Sequence, residues 1–240
     1  MLDYKIFKIE IAELVVEVKS KFEFCKRKCS DYIVSDDNLP DIIATASEDE
    51  ISKEKSQLSL DASDGYCEDI CLYRSIAEQL PSLDRAVFHG AAVEAGGKGY
   101  IFTAPSGTGK TTHIRLWLEF FSDKVKIING DKPILKLDGN SVSICSTPWA
   151  GKEGMQRNTI APVGAICIIR QAKVNRIKRI SPSESFGEIV KQIYLPRNAV
   201  SRMKTLDIVD RVLKNVPIYL LECDISREAA ELSFNTLTKE

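Results

Sequence analysis

The chain has 240 residues and is 44% hydrophobic and 28% charged, which is an ordinary composition for a soluble globular protein. Its length allows one sizeable α/β domain with an appended small layer, or two small domains. The formal net charge of −1 gives no reason to expect nucleic acid or an anionic membrane as a partner.

The N-terminal residues predict neither a targeting segment nor a membrane anchor. Met1–Lys8 carries charges where a signal peptide would need an apolar core. No run in the chain approaches the ~20 apolar residues that a membrane helix needs. The seven cysteines are an odd number without small-scaffold spacing, which suits a reducing compartment. We therefore expect a cytoplasmic protein.

Residues 1–84 predict a small β-rich layer and one helix. Apolar and charged side chains alternate over residues 4–24, which is the period of half-buried antiparallel strands. The alternation involves Phe7, Ile9, Ile11, Val16, Val18, Phe22 and Phe24. Residues 47–57 are almost entirely polar and predict a loop or a solvated hairpin tip. A helix is predicted from Gly65 to Leu80, and Pro81 ends it.

Two pairs of cysteines in this layer share the same spacing. Cys25 and Cys29 form one pair, and Cys67 and Cys71 form the other. Four thiolates could make a tetrahedral zinc site if the two segments met. The usual zinc signatures prefer two intervening residues rather than three, so ordinary reduced cysteines are favoured and the zinc site stays an alternative.

A strand, a Gly-rich turn and a helix are predicted in succession over residues 99–121. A strand at 88–95 and a Gly-rich turn come just before them. The second strand is Gly99–Thr103, the turn is Ala104–Thr111, and apolar residues at helical spacing follow. This order is the context in which a Gly-rich segment forms a phosphate-binding (Walker A) loop.

The residue types of this loop suit a nucleoside triphosphate. Glycines let backbone N–H groups close on phosphate oxygens, and the helix N-terminus adds partial positive charge. Lys110 would reach the β- and γ-phosphates, and the Thr111 hydroxyl would hold Mg²⁺. The predicted nucleotide-binding residues are Ser106, Gly107, Thr108, Gly109, Lys110, Thr111 and Thr112. Ala104 replaces the first glycine of the usual pattern, at a position that serves the turn; a simple Gly/Ser turn is the alternative.

An acidic residue is predicted to lie beside the loop. The β-prone run that starts at Val125 ends in Asn129-Gly130-Asp131. One helix and one strand fill the interval from the loop, so a βαβ unit would place Asp131 at the carboxyl edge of a parallel sheet. A carboxylate there can hold Mg²⁺ directly or through water. The alternative is an ordinary turn aspartate.

The C-terminal half continues with strands and helices. Asp138-Gly139 between β-prone runs predicts a hairpin, and Ser181-Pro182 with Glu184 predicts a capped helix start. The basic segment 170–179 predicts a solvated hairpin. Apolar patterns predict a buried strand at 163–169, a helix at 200–214, a strand at 217–222 and a helix from about 226.

Four segments occur in the order seen in HPr-kinase-like proteins, which share their nucleotide site with phosphoenolpyruvate carboxykinases. They are His89-Gly90, Ala104–Thr111, Asn129–Pro133 and Thr147–Gly154. Over roughly residues 85–225 the chain resembles this family, and residues 1–84 resemble the leader of its short members only loosely. The resemblance implies an α/β P-loop kinase core at 85–240 behind an N-terminal β-rich segment at 1–84.

Family members transfer the γ-phosphoryl group of ATP, with Mg²⁺, to a serine or another hydroxyl. By resemblance, Lys110 would bind phosphate, Thr111 and Asp131 would hold Mg²⁺, and His89 would support the catalytic carboxylate. Residues 149–153 would lie near the acceptor, with Lys152 and Glu153 facing the transferred group. The acceptor would be a small molecule or a peptide, since an HPr-binding helix is not recognisable.

One departure from the family pattern is Gly130, where HPr kinases carry the first of two adjacent aspartates. The base is then Asp131 itself, Glu153, or absent. A nucleotide-binding regulator that has lost catalysis is the rival interpretation. A third interpretation is a carboxykinase that acts on an oxaloacetate-like acid, but this chain lacks the cluster of basic residues that would bind such a substrate. Structural roles remain open for His89, His113, Trp149 and Lys152. The sequence does not determine the identity of the acceptor, the base of the nucleotide donor or the oligomeric state, and a homo-oligomer is one of the open alternatives.

Overall fold

The computed structural model describes residues 4–35, 39–58 and 61–239. Within them, strands β1 (Lys5–Ile11), β2 (Leu14–Ser20), β3 (Ile33–Val34) and β4 (Ile42–Ala44) form a four-stranded sheet in the order β3-β1-β2-β4. Strands β1 and β2 form an antiparallel hairpin, and β4 pairs with β2 in parallel. The α-helices of this layer are α1 (Glu23–Lys28), α2 (Glu48–Gln57) and α3 (Asp64–Gln79).

Two predictions for this layer are wrong. The strand alternation does not continue through Phe22 and Phe24, because α1 begins at Glu23. The polar residues 47–57 form α2, and the described part of residues 4–84 therefore holds three α-helices instead of one. The Ser47 hydroxyl accepts from the backbone N–H of Glu50, and the Glu50 carboxylate accepts from the backbone N–H of Ser47. This capping box gives hydrogen-bond partners to two backbone N–H groups at the start of α2.

The remaining strands form one mixed sheet. In the described residues it has nine strands, with the order β5-β9-β10-β11-β7-β6-β8 and with β13 between β11 and β12. No described helix combines the length and the apolar character required to cross a bilayer. The elements are β5 (Arg85–Val87), β6 (Ala91–Ala95), β7 (Lys98–Thr103), α4 (Lys110–Phe120), β8 (Val125–Asn129), β9 (Ile134–Asp138), β10 (Ser141–Cys145), β11 (Ile160–Gln171), β12 (Arg176–Ile180), α5 (Pro182–Val190), α6 (Ala199–Asn215), β13 (Ile218–Cys223) and α7 (Arg227–Leu237).

Strand order brings the Gly-rich loop and Asp131 to the same edge of this sheet. Strands β7 and β8 are each antiparallel to β6, which lies between them, so they run in the same direction. The chain leaves β7 into the loop and leaves β8 toward Asp131. The expected βαβ unit thus has an additional strand inserted between its two parallel strands.

Several local predictions are confirmed and one is wrong. The hairpin of β9 and β10 turns at Asp138-Gly139, and α5 starts with the Ser181–Glu184 capping box. The segment 170–179 does not form a hairpin, because β12 pairs with β13 and not with β11. The later strand β13 takes the position beside β11 and pairs with it in parallel.

The N-terminal layer shares its core with the larger sheet. One cluster of buried side chains joins residues of β1, β2 and α3 to Val87, Ile134, Cys145 and Trp149. All seven cysteines are buried and unpaired. The Sγ atoms of Cys25 and Cys29 lie 3.9 Å apart. Across the described ranges, no three His, Cys, Asp or Glu side chains come together as a metal-binding group.

Candidate functional site

The Gly-rich loop between β7 and α4 depends on two glycines with positive φ. Gly107 has φ +82° and Gly109, which precedes the first turn of α4, has φ +111°. A Cβ atom at either position would meet no atom within 4 Å, so backbone conformation and not space requires glycine. The loop is therefore open on its outer side, with the N-terminal turn of α4 behind it.

Lys110 is the first residue of α4 and is buried. Its Nζ donates to the carbonyl oxygens of Ala104, at 2.9 Å, and Pro105, at 3.4 Å. Burial lowers the pKa of this ammonium group, although the Asp131 carboxylate opposes the change. The ammonium thus closes the loop onto itself, and buried Ala104 takes part through its carbonyl, for which no glycine is needed.

Asn129 shapes the turn that carries Asp131. Its side-chain Oδ1 accepts from the backbone N–H groups of Asp131 and Lys132, both at 2.9 Å. Its Nδ2 donates to the carbonyl oxygen of Thr147, also at 2.9 Å. A single buried amide therefore fixes both the Asp131 turn and the start of the segment 147–154.

Asp131 is held as a carboxylate by two neighbours. His89 Nε2 lies 3.4 Å from Oδ1, and Lys132 Nζ lies 2.6 Å from Oδ2. Burial raises the pKa of Asp131, but the hydrogen bonds and charges of His89 and Lys132 outweigh burial and lower it to about 2. Such a carboxylate is a good metal ligand and hydrogen-bond acceptor, and a weak base.

His89 is itself oriented by Gln192. The ring Nδ1 of His89 and the side-chain Oε1 of Gln192 lie 2.9 Å apart. The backbone N–H of His89 also donates to the backbone carbonyl oxygen of Gln192, at 2.7 Å. Gln192 follows α5 and was not identified from the sequence. The ring of His89 is therefore fixed from behind while its other nitrogen faces Asp131.

The segment Thr147–Gly154 lies directly against the Asp131 turn. The Thr147 hydroxyl donates to the carbonyl oxygen of Lys132 at 2.8 Å. Gly151 has φ +79°, and a Cβ atom there would lie 3.1 Å from the Asp131 Cβ. A Cβ atom at Gly130 would lie 3.0 Å from the Ala150 carbonyl oxygen. The two glycines permit this close approach.

A cleft of about 660 Å³ opens between these segments and the N-terminal layer. Its lining includes predicted residues from the loop, the turn and the 147–154 segment, namely Ser106, Thr111, Asp131, Lys152 and Glu153. The opposite wall comes from α1, α2 and α3, with Lys28, Glu54, Tyr66, Asp69, Ile70, Tyr73 and Arg74. No motif pointed to this wall, and only the helical spacing of its α3 residues could have marked it as one face.

Other predicted loop residues face away from this cleft. Gly107 and Thr108 line a second groove of about 590 Å³ with Arg170 and Lys191. Gly109 and Thr112 line a small recess beside α4. The loop thus stands between two grooves, and only Ser106 and Thr111 of its predicted residues border the main cleft.

The remaining candidates have distinct environments. Glu153 is paired with Arg115 at 2.6 Å, and exposed Lys152 has no ion pair or hydrogen bond with any described residue. Trp149 is 6% exposed and donates from Nε1 to Asp69 at 3.2 Å. His113 is buried and lies 2.9 Å from the Ser233 hydroxyl, which corresponds to its structural alternative.

Comparisons with known proteins add little. No family model matches the sequence, and no curated protein matches it. One solved structure with a weak similarity is the Hpr(Ser) kinase/phosphatase from Coxiella burnetii, with 11% identity and a TM-score of 0.37. The match covers 62% of this chain and 95% of that chain. A similarity of this size establishes neither the fold nor the activity of this chain.

Proposed function

We propose that this protein is a Mg²⁺-dependent kinase that transfers the γ-phosphoryl group of ATP to a hydroxyl. One juxtaposition supports the proposal. Thr111, in the first turn of the helix after the Gly-rich loop, and ionised Asp131 line the same cleft at the carboxyl edge of the sheet. Ligands of open α/β sheets bind outside such an edge.

The loop fits a triphosphate. Its two positive-φ glycines leave the outer side of the loop open, so phosphate oxygens can approach the backbone N–H groups. Lys110 already reaches the rim of the loop, where it donates to two carbonyl oxygens. A phosphate oxygen would be a stronger, charge-assisted partner for the same ammonium.

The residues present also fit Mg²⁺. This ion is bound in kinases by one or two protein oxygens together with substrate phosphates and water, and Thr111 and Asp131 supply those oxygens. When bound, Mg²⁺ neutralises charge that develops on the phosphate oxygens. His89 and Lys132 keep Asp131 ionised, which this role requires.

In the proposed reaction the acceptor oxygen forms a bond to the γ-phosphorus as the bond to the bridging β,γ-oxygen breaks. The electron pair of that bond leaves with ADP. The acceptor hydroxyl donates a hydrogen bond to Asp131 and gives it the proton late, because a carboxylate with a pKa of about 2 removes protons poorly. Phosphoryl transfer tolerates a weak base, since its transition state is loose. Lys152 supplies positive charge to the transferred group.

Binding is tested by thermal unfolding with and without Mg-ATP. A ligand bound only to the folded state stabilises by about 2.7 kcal/mol at a hundredfold excess over Kd. We expect a higher Tm for the wild type with Mg-ATP and little shift for Lys110→Ala. Lys124→Ala, an exposed lysine that does not line the cleft, serves as the control and should keep the shift. A wild type without a shift at millimolar Mg-ATP would overturn the proposal.

A nucleotide-binding regulator is the second candidate, and Gly130 favours it. A Cβ at this position would lie 3.0 Å from the Ala150 carbonyl oxygen, so another aspartate beside Asp131 would require the neighbouring backbone to shift. The two candidates separate with labelled ATP, Mg²⁺ and a panel of serine peptides and small hydroxyl compounds. Transfer of label to an acceptor identifies the kinase. A Tm shift without transfer or ATP turnover identifies the regulator.

A further inference from the structure

Helix α3 forms the wall of the cleft that faces the Asp131 turn. Its cleft-lining residues are Tyr66, Asp69, Ile70, Tyr73 and Arg74, which recur at helical spacing. The opposite face of α3, with Leu72 and Ile76, is buried in the core of the N-terminal layer. The wall is thus a fixed surface built on a packed helix.

The charged groups of this wall are already neutralised by ion pairs. Asp69 accepts from Lys28 Nζ at 2.7 Å, and Arg74 is paired with Glu54. Both carboxylates are buried, and losing the cation paired with either one would leave an uncompensated buried charge. These four side chains therefore offer no free charge to a ligand.

Tyr73 and the more exposed Tyr66 differ from the charged residues of this wall, because neither tyrosine hydroxyl has a hydrogen bond to a described residue. The half-buried ring of Tyr73 packs against Trp149, with centroids 5.2 Å apart, and against Tyr194 at 6.4 Å. The hydroxyl of Tyr194 donates to Glu78 and that of Tyr32 donates to Gln156. The Tyr73 hydroxyl has no hydrogen bond to any residue that the structure describes. Since no buried side-chain oxygen of the described residues lacks a partner, this hydroxyl is accessible to solvent and available to a ligand in the cleft.

Tyr73 is also next to the proposed reaction centre. Lys132 Nζ lies 6.0 Å from the centroid of the Tyr73 ring and 2.6 Å from Asp131 Oδ2. Burial and the nearby Asp131 carboxylate raise the pKa of Tyr73 well above its ordinary value. The phenol therefore stays protonated and acts as a hydrogen-bond donor.

We propose that Tyr73 binds the acceptor and donates its phenol O–H to the oxygen that attacks the phosphoryl group. This inference rests on the proposed kinase function. The acceptor oxygen has two lone pairs. One accepts from Tyr73 and the other forms the new bond to phosphorus, while the acceptor's own proton points to Asp131. The N-terminal layer would thereby complete an acceptor site whose other side is the Asp131 turn.

The test compares Tyr73→Phe with Tyr194→Phe. The first removes the free hydroxyl and keeps the ring. The second removes a hydroxyl from an adjacent ring, outside the cleft, whose bond to Glu78 is structural. Phosphate release from Mg-ATP, with water as the acceptor, gives turnover and the KM for Mg-ATP. The Tm shift by Mg-ATP is measured on the same samples.

For Tyr73→Phe we expect turnover to fall by about tenfold to a hundredfold, as for a misplaced reactant. Its KM for Mg-ATP and its Tm shift should stay near the wild-type values, and Tyr194→Phe should keep full turnover. Wild-type turnover in Tyr73→Phe, or an equal loss in both variants, would overturn the role of Tyr73 and leave the kinase proposal standing. A wild type that binds Mg-ATP but neither releases phosphate nor labels any acceptor of the panel would overturn both.

Discussion

Gly130 lies where two chain segments approach so closely that an added Cβ would be in tight contact with backbone. Its Cβ would lie 3.0 Å from the Ala150 carbonyl oxygen and 3.3 Å from that of Met155. Both contacts are with backbone, which cannot rotate away as a side chain does. The glycine therefore follows from packing between the Asp131 turn and the segment over it.

The first prediction is that Gly130→Ala destabilises the protein. Extra volume in a close-packed site costs about 1–3 kcal/mol of unfolding free energy. Gly187→Ala is the matched control, since Gly187 lies inside α5 and its Cβ would meet nothing within 4 Å. Removing a helix-interior glycine should leave stability unchanged or raise it by about 0.5–1 kcal/mol. Urea unfolding measures both, and a Gly130→Ala protein as stable as Gly187→Ala would contradict the packing argument.

At the scale of elements, the segment Thr147–Gly154 is fixed at one end and open at the other. Thr147 is bound to Asn129 and Lys132, and Trp149 to Asp69 of α3. The following Gly151–Gly154 turn is exposed. The fixed part positions the turn over Asp131, and the exposed part presents Lys152 and Glu153 to the cleft.

The second prediction concerns these two exposed side chains. Lys152→Ala and Glu153→Gln should reduce Mg-ATP turnover while leaving the Tm shift by Mg-ATP nearly intact, because neither residue belongs to the Gly-rich loop. The surface ion pair of Glu153 with Arg115 is worth at most about 1 kcal/mol, so folding should not change. Arg115→Ala is the control that removes the ion pair alone. Loss of the Tm shift in both variants would instead assign the segment to nucleotide binding.

Helices α4 and α7 are joined by a buried histidine. His113 Nε2 lies 2.9 Å from the Ser233 hydroxyl, which also accepts from Trp117 Nε1. Burial lowers the pKa of His113 from 6.5 to about 4. The folded protein therefore keeps this ring neutral at a pH where the unfolded chain protonates it.

The third prediction is an acid destabilisation that depends on His113. Between pH 6.5 and about 4 the unfolded state binds the additional proton, so the free energy of unfolding falls as the pH falls. The shift corresponds to about 3 kcal/mol over this range. Urea unfolding should show a shallower pH dependence for His113→Gln, which cannot titrate there. Equal slopes in the two proteins would mean that His113 is protonated without cost.

Elements with a local cause were predictable, and those with a tertiary cause were not. The hairpin at Asp138-Gly139 and the capped start of α5 are set by nearby residues. The capping box of α2 was equally local, and its Ser47 and Glu50 carried a signal that the polar composition hid. The position beside β11 can be taken by β12 or by β13, and in the structure β13 takes it and pairs with β12 on its other side. The spacing of residues along the sequence does not show which of the two strands will lie there.

The site divides in the same way. The loop and Asp131 could be placed at one edge because successive parallel strands end together. Tyr73 and Arg74 could not, since they reach the cleft only through the packing of α3 between the N-terminal sheet and the rest of the molecule. Gln192, which orients His89, lies 103 residues away in sequence and has no motif.

At the scale of the whole molecule, the boundary expected near residue 85 does not separate two cores. The cluster beneath the N-terminal sheet contains Val87, Ile134 and Trp149 together with Ile9 and Leu72. Buried apolar contacts of this kind stabilise both parts at once, because exposing one side exposes the other. The N-terminal layer and the sheet that carries the loop should therefore unfold together.

The fourth prediction tests this cooperativity with the two tryptophans of the chain. Trp149 belongs to the shared cluster, and Trp117 belongs to the core around α4. In Trp117→Phe the fluorescence reports on the shared cluster alone, and in Trp149→Phe it reports on the α4 core. Both variants lose a hydrogen bond and should be less stable than the wild type by about 1 kcal/mol or more.

Within each variant, the urea transition seen by fluorescence should coincide with the transition seen by far-UV circular dichroism, as two-state unfolding requires. Comparison inside one variant removes the difference in stability between the two substitutions. A Trp149 signal that changes at lower urea than the circular dichroism would mean that the N-terminal layer opens on its own. In that event helix α3, which carries Tyr73, would detach while the Gly-rich loop remained folded. Mg-ATP turnover would then be lost at a lower urea concentration than Mg-ATP binding.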